Sequence, residues 1–293
     1  MLPETFTPEL LHRLELLNVR SRRSYLGTRQ GGHLSLKRGH GIEFSDYRQY
    51  ELGDNPRHID WSLYARSDRL YVKRFQEEQN LTVLLFVDGS ASMVTPREDK
   101  KWEFARDTAL ALAYVALMQQ DAVTVSVPGH FHSPLYTGAQ SFHNVGRELT
   151  TISAGRQFDY VREVQRAIAR VRFPGIGVFI SDFLMPLEEI ERSMNAMRAK
   201  GLDVTAVQVL GAHDLNPFPI NTDAIAVDSE TGEEISLHLS EQAQRDYTEY
   251  LEQHTALLRK FFFDSRIAFC SANASDDFGR FIVESLTRTG LLL

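Results

Sequence analysis

Apolar residues change their rhythm near residue 80. Leu10, Leu11, Leu14 and Leu17 fall at helical spacing and predict a short amphipathic helix over 8–20. Gly27, Gly31, Gly32, Gly39 and Gly41 then punctuate a polar stretch that excludes a helix. Short strand-like pieces follow, such as Leu70-Tyr71-Val72-Lys73-Arg74-Phe75. Residues 1–80 therefore read as an irregular, β-rich N-terminal extension.

Beyond it, Thr82-Val83-Leu84-Leu85-Phe86-Val87 is a continuous apolar run that stops at Asp88. Strands buried on both faces of a parallel sheet read this way. Helical patterns follow over 100–119, 141–153, 158–172, 188–200, 240–262 and 277–287, with strand patterns over 121–127, 176–180, 203–210 and 267–271. A pair of short strands, 224–227 and 234–239, flanks Thr231-Gly232. Strands alternating with helices predict an α/β domain over 81–293, built on a doubly wound parallel sheet. Ligands of such sheets sit beyond the carboxyl ends of the strands.

Composition narrows the class. Hydrophobic residues make up 43% and charged residues 24%, the balance of a soluble globular chain. The single cysteine, Cys270, excludes an intrachain disulfide and suits a reducing, cytoplasmic setting. Met1-Leu2-Pro3-Glu4-Thr5 lacks the basic and apolar regions of a signal peptide, and the most apolar stretch, 108–118, falls well short of the roughly 20 residues a membrane helix needs. The net charge of −7 is unevenly placed: +2 over residues 1–80 and −9 over the remainder. Seven basic residues against one acidic lie within 13–38. With no aromatic interleaving beyond Tyr25, this segment reads as solvated or as an intramolecular contact, not as a nucleic-acid site.

The candidate chemistry sits at Asp88-Gly89-Ser90-Ala91-Ser92, closing the first core strand. A carboxylate and two hydroxyls spaced two apart on a turn can aim oxygen ligands at one hard cation, Mg²⁺ or Mn²⁺. Asp182, closing a later buried strand, supplies a second carboxylate. The bland alternative is an ordinary strand-to-helix turn, where Asp and Ser are favoured.

Asp88, Ser90, Ser92 and Asp182 resemble the metal-ion-dependent adhesion site of von Willebrand factor A domains. Upstream, Gly41-Ile42-Glu43-Phe44, Arg48-Gln49-Tyr50, the segment from Gly53-Asp54-Asn55-Pro56-Arg57 to Asp60-Trp61, Ala65-Arg66 and Val72-Lys73 resemble the signature of the bacterial domain-of-unknown-function family 58. Asp228-Ser229-Glu230-Thr231-Gly232-Glu233 also fits that family's pattern. The resemblance implies a von Willebrand factor A-like fold with an N-terminal extension. It also implies a non-catalytic adaptor role beside a MoxR-type AAA+ ATPase, acting on client proteins in the assembly or maturation of complexes. The adhesion site of the family normally adds a threonine, and Arg156 stands at the matching place, which leaves two readings: Arg156 enters the crevice as a surrogate for the metal, or it points to solvent and the metal is retained as a weak, exchangeable ion. Within the signature, Arg48, Tyr50, Asp54, Arg57, Asp60, Trp61 and Arg66 read as structural or partner-binding. Arg57 and Asp60 are expected to pair with each other or with Arg48, and Trp61 to anchor the extension.

Common catalytic sets are missing. There is no G-x-x-x-x-G-K-[ST], no H-E-x-x-H and no cysteine pair. His130 and His132 read as surface histidines. The alternative to an adaptor is a metal-dependent hydrolase acting through Asp88 and Ser90, although a serine nucleophile needs a positioned base and none is identifiable in the sequence.

Overall fold

The computed structural model describes residues 2–22, 43–76, 81–171, 175–216, 222–227 and 234–293. The glycine-punctuated stretch, much of the basic segment, Thr231-Gly232 and the 228–233 pattern lie outside these residues. The chain forms two compact units, one of residues 24–80 and one of residues 1–23 with 81–293. The first 23 residues thus group with the α/β domain, a correction to an extension running from residue 1. Leu10 and Leu14 of α1 (Pro8–Glu15) explain it: both are buried in the core of the large unit. The helix is shorter than its apolar spacing suggests. The segment after it runs on to a bridge between Val19 and Leu292.

The smaller unit pairs β1 (Glu43–Gln49) and β2 (Tyr71–Gln76) antiparallel. A 3-10 turn (Pro56–His58) and α2 (Trp61–Ser67) lie between them, and Asp60 caps α2 through the amides of Ser62 and Leu63.

In the larger unit, β3 (Thr82–Val87) leads to α3 (Lys101–Met118) and β4 (Ala122–Val127). The two-residue strands β5 (Phe131–His132) and β6 (Tyr136–Thr137) return against β4. Then come α4 (Phe142–Thr151), α5 (Tyr160–Ala169), β7 (Gly175–Ser181), α6 (Leu187–Ala199), β8 (Asp203–Leu210) and α7 (Ala212–Leu215). A separate hairpin of β9 (Thr222–Val227) and β10 (Glu234–Leu239) precedes α8 (Glu241–Asp264) and β11 (Ala268–Asn273). The described chain ends in α9 (Phe278–Arg280), a π turn over Phe281–Ser285 and α10 (Leu286–Arg288).

The sheet runs β11-β8-β7-β3-β4-β5, parallel from β11 to β4 and closed on β4 by the antiparallel β5 and β6. Side chains of a strand alternate between faces, and the core divides accordingly. Val83, Leu85 and Val87 join Ile176, Val178 and Ile180 under α1, α3 and α4. Leu84 and Phe86 join Phe179 under residues of α5, α6 and α8. Helices on both faces are what a doubly wound parallel sheet requires. The central α3 is buried on nearly every side, with alanines letting it lie close to the strands. Among the described residues no helix is long and apolar enough to cross a membrane.

Candidate functional site

The carboxyl ends of β3 and β7 lie side by side, with Val87 opposite Ile180. The Asp88 amide continues this ladder by donating to the Ile180 carbonyl at 2.8 Å. Its side chain is fully buried. Oδ1 accepts the Ser90 amide at 2.9 Å, while Oδ2 accepts the Tyr160 hydroxyl at 2.9 Å and the Ser181 hydroxyl at 2.6 Å. Burial, then the charge of Asp182, push the Asp88 carboxyl up to about 6, against the pull of the Ser181 and Ser90 hydrogen bonds. Ser90 is buried, and its Oγ lies 3.0 Å from the Ser92 Oγ.

Gly89 is required by the packing of this turn. A Cβ there would sit 2.9 Å from Val127 Cγ1. Its carbonyl accepts the Gly155 amide at 2.8 Å and the Arg156 amide at 3.3 Å, fastening the loop before α5 to the Asp88 turn. The Arg156 side chain, however, is exposed and donates from Nη1 to the Gly129 carbonyl at 3.0 Å. It does not enter the crevice of Asp88 and Asp182, and of the two readings the geometry is that of an arginine turned to solvent. Its positive charge adds to burial in holding His130 below its ordinary pKa.

The cation that does reach the second carboxylate is Lys101. Lys101 Nζ stands 3.2 Å from Asp182 Oδ2 and 2.9 Å from Asp214 Oδ1, with Lys101 and Asp182 each 1% exposed. Burial alone would lower the ammonium's pKa, but Asp182 and Asp214 outweigh it and the pKa is raised. Asp182 Oδ1 accepts the Leu184 amide at 3.2 Å, and its main-chain carbonyl accepts Gln208 Nε2 at 3.0 Å. Tyr160, Ser181, Lys101 and Asp214 were missed in the sequence. Only Lys101 leaves a signal there, a basic doublet Lys100-Lys101 in a first helical turn, where cations are disfavoured.

The geometry tests the expected divalent ion. Oxygens in cis positions around Mg²⁺ stand about 2.9 Å apart, given metal–oxygen bonds of about 2.1 Å. The Ser90 and Ser92 hydroxyls meet that spacing, and the Ser90 side chain and amide both contact the Asp88 carboxylate. Asp88, Ser90 and Ser92 therefore fit a hard cation. Asp182 faces an ammonium instead, and among the described residues no group of three or more His, Cys, Asp or Glu is placed to hold a metal.

The histidines correct a second expectation. His132 is no free surface group: Nδ1 lies 2.8 Å from Ser126 Oγ and Nε2 2.9 Å from Glu163 Oε2, joining β4, β5 and α5. His130 Nε2 is buried with no hydrogen-bond partner among the described residues. In the signature unit, Arg48 pairs with Asp54 at 2.5 Å and with Glu51 at 3.0 Å, not with Asp60. Asp60 caps α2 and accepts the Tyr47 hydroxyl at 2.9 Å. Tyr50 donates its amide to the Leu70 carbonyl, and Arg66 Nε donates to the Ser62 carbonyl at 3.2 Å. Arg57 is exposed. Trp61, expected as an anchor, is 60% exposed and meets Tyr64 edge-on.

The family model described as "Protein of unknown function DUF58" matches residues 46–257. Uncharacterized proteins of Mycobacterium tuberculosis and Mycobacterium bovis are 28% identical over 262 residues, covering 85% of this chain and 80% of theirs. Among solved structures, the conserved hypothetical protein BatB from Bacteroides thetaiotaomicron aligns with a TM-score of 0.41 at 14% identity, over 72% of this chain and 99% of that one. An aerotolerance-related membrane protein from Bacteroides fragilis aligns with a TM-score of 0.39 at 14% identity, over 71% of this chain and all of that one.

Proposed function

Because this chain belongs to the DUF58 family, the match spanning residues 46–257, we propose that it is a non-catalytic binding or adaptor protein with a von Willebrand factor A-like domain and a cation-capable site at the end of β3. The observation that carries the reading is the convergence of Asp88, Ser90 and Ser92: one buried carboxylate with two hydroxyls 3.0 Å apart. Asp88, Ser90 and Ser92 would hold Mg²⁺ or Mn²⁺. When bound, such an ion supplies positive charge and open positions for an acidic group of a partner protein. Tyr160 and Ser181 fix the Asp88 carboxylate from the α5 and β7 sides, so the turn is organised before anything binds. The expected partner is a MoxR-type AAA+ ATPase together with client proteins, in a cytoplasmic setting where ATP and Mg²⁺ are supplied.

The hydrolase reading is the weaker one. Ser90 Oγ lies 3.0 Å from the Ser92 Oγ, and Asp88, the carboxylate its side chain also meets, already accepts from the Ser90 amide, the Tyr160 hydroxyl and the Ser181 hydroxyl. The test is a pull-down of the host's MoxR-type ATPase with the wild-type chain and with Asp88→Ala, in the presence of Mg²⁺. The variant should bind about tenfold more weakly or worse while keeping its circular dichroism. Unchanged affinity rejects the site as the contact. Turnover of a generic phosphoester or peptide that vanishes in Asp88→Ala would favour the hydrolase.

A further inference from the structure

Lys101 opens α3, where the unpaired amides and the helix dipole favour negative charge. It is also almost wholly buried, and a buried ammonium is costly unless it is paired. Its position is therefore explained by its partners. Asp182 lies at the end of β7 and Asp214 in α7, just beyond β8, so Lys101 ties together two neighbouring strand ends. Asp214 is itself held by the Gly211 amide at 2.8 Å, and the Tyr247 hydroxyl of α8 donates to its main-chain carbonyl at 2.8 Å. The ammonium is thus held by two carboxylates, one of them braced in turn by α8.

We propose that Lys101 is a resident counter-ion that withholds Asp182 from any divalent cation bound at Asp88, Ser90 and Ser92. The inference rests on the cation-site reading above and deepens it. A dication approaching Asp182 would meet a positive charge 3.2 Å from Oδ2, while Oδ1 already accepts an amide. The ion is left with Asp88 as its one charged protein ligand. Affinity for hard cations rises with the number of charged ligands, so this site holds its metal loosely and exchanges it readily. The role given by sequence to Arg156, in the loop before α5, belongs to Lys101 at the start of α3.

The test is a calorimetric titration of chelator-treated protein with Mn²⁺, run on the wild-type chain, Lys101→Met, Asp182→Asn, the double variant and Asp88→Asn. Lys101→Met should bind Mn²⁺ about tenfold tighter or more, because a second carboxylate becomes available. Asp182→Asn alone should match the wild type within about twofold, yet cancel the gain in the double variant. Wild-type affinity in Lys101→Met overturns the proposal, as does a tenfold loss in Asp182→Asn. The Asp182→Asn arm leaves Lys101 paired with Asp214 and carries the test even if Lys101→Met does not fold. If Asp88→Asn abolishes binding but Lys101→Met fails to tighten it, the counter-ion idea alone falls. If Mn²⁺ binding survives Asp88→Asn unchanged, the cation-site reading falls and takes the inference with it.

Discussion

Asp88 is buried as an acid whose pKa is raised from 3.8 to about 6, and that shift has a measurable consequence in metal-free protein. The folded state binds the proton more tightly than the unfolded chain. Stability from this group is therefore full at low pH and falls as pH climbs from about 4 to about 6, then levels. The loss is about 3 kcal/mol, from a shift of about two units at 1.36 kcal/mol each. Asp88→Asn removes the titration but keeps the shape. Urea unfolding of chelator-treated wild type and Asp88→Asn, at half-unit steps from pH 4 to 7.5, isolates the effect in the difference between the two proteins. Asp121, also raised to about 6 by burial, titrates equally in both and cancels. The asparagine variant should gain on the wild type by about 3 kcal/mol across that window. Adding Mn²⁺ at pH 7 should recover stability in the wild type alone, since a cation relieves the buried charge. A difference that stays flat with pH would refute the argument that ionised Asp88 is a burden the fold carries.

Two further outcomes follow from the same turn and its neighbouring loop. Gly89→Ala should destabilise by about 1–3 kcal/mol in the same unfolding assay, because its Cβ would press on Val127 at 2.9 Å and disturb both serines. Arg156→Ala should leave Mn²⁺ affinity unchanged by calorimetry, since the guanidinium is spent on the Gly129 carbonyl outside the crevice.

The sheet was legible because its signal is local. A strand buried on both faces must be apolar at every position, and Thr82–Val87 and Gly175–Ser181 are buried throughout. Asp88 and Asp182 were legible for the same reason: a carboxylate that ends such a run stands out. What organises them was not. Lys101 lies 81 residues from Asp182 and 113 from Asp214, and nothing in the spacing announces that three such residues meet. Tyr160 reads as one more aromatic on an amphipathic helix until its hydroxyl is seen on Asp88. Arg156 misled because a position in a loop fixes where the backbone runs, not where a long side chain points. Here the backbone does dock on the Asp88 turn, through the Gly155 and Arg156 amides, while the guanidinium turns away. His132 failed similarly: its partner Glu163 comes from a helix 31 residues later.

Phe183, the residue after Asp182, sits at φ 54°, a left-handed backbone that a bulky side chain rarely adopts. Its ring is fully buried among Phe179 and Phe262, its amide donates to Ser181 Oγ, and its carbonyl meets His254 of α8 at 2.7 Å. Such a backbone persists only where its surroundings over-determine it. The aim of the Asp182 carboxylate is therefore set jointly, by the aromatic interior that holds Phe183 and by the Leu184 amide that Oδ1 accepts. Drift in that interior, several residues removed from any ligand, would retune the crevice without altering one of its polar groups.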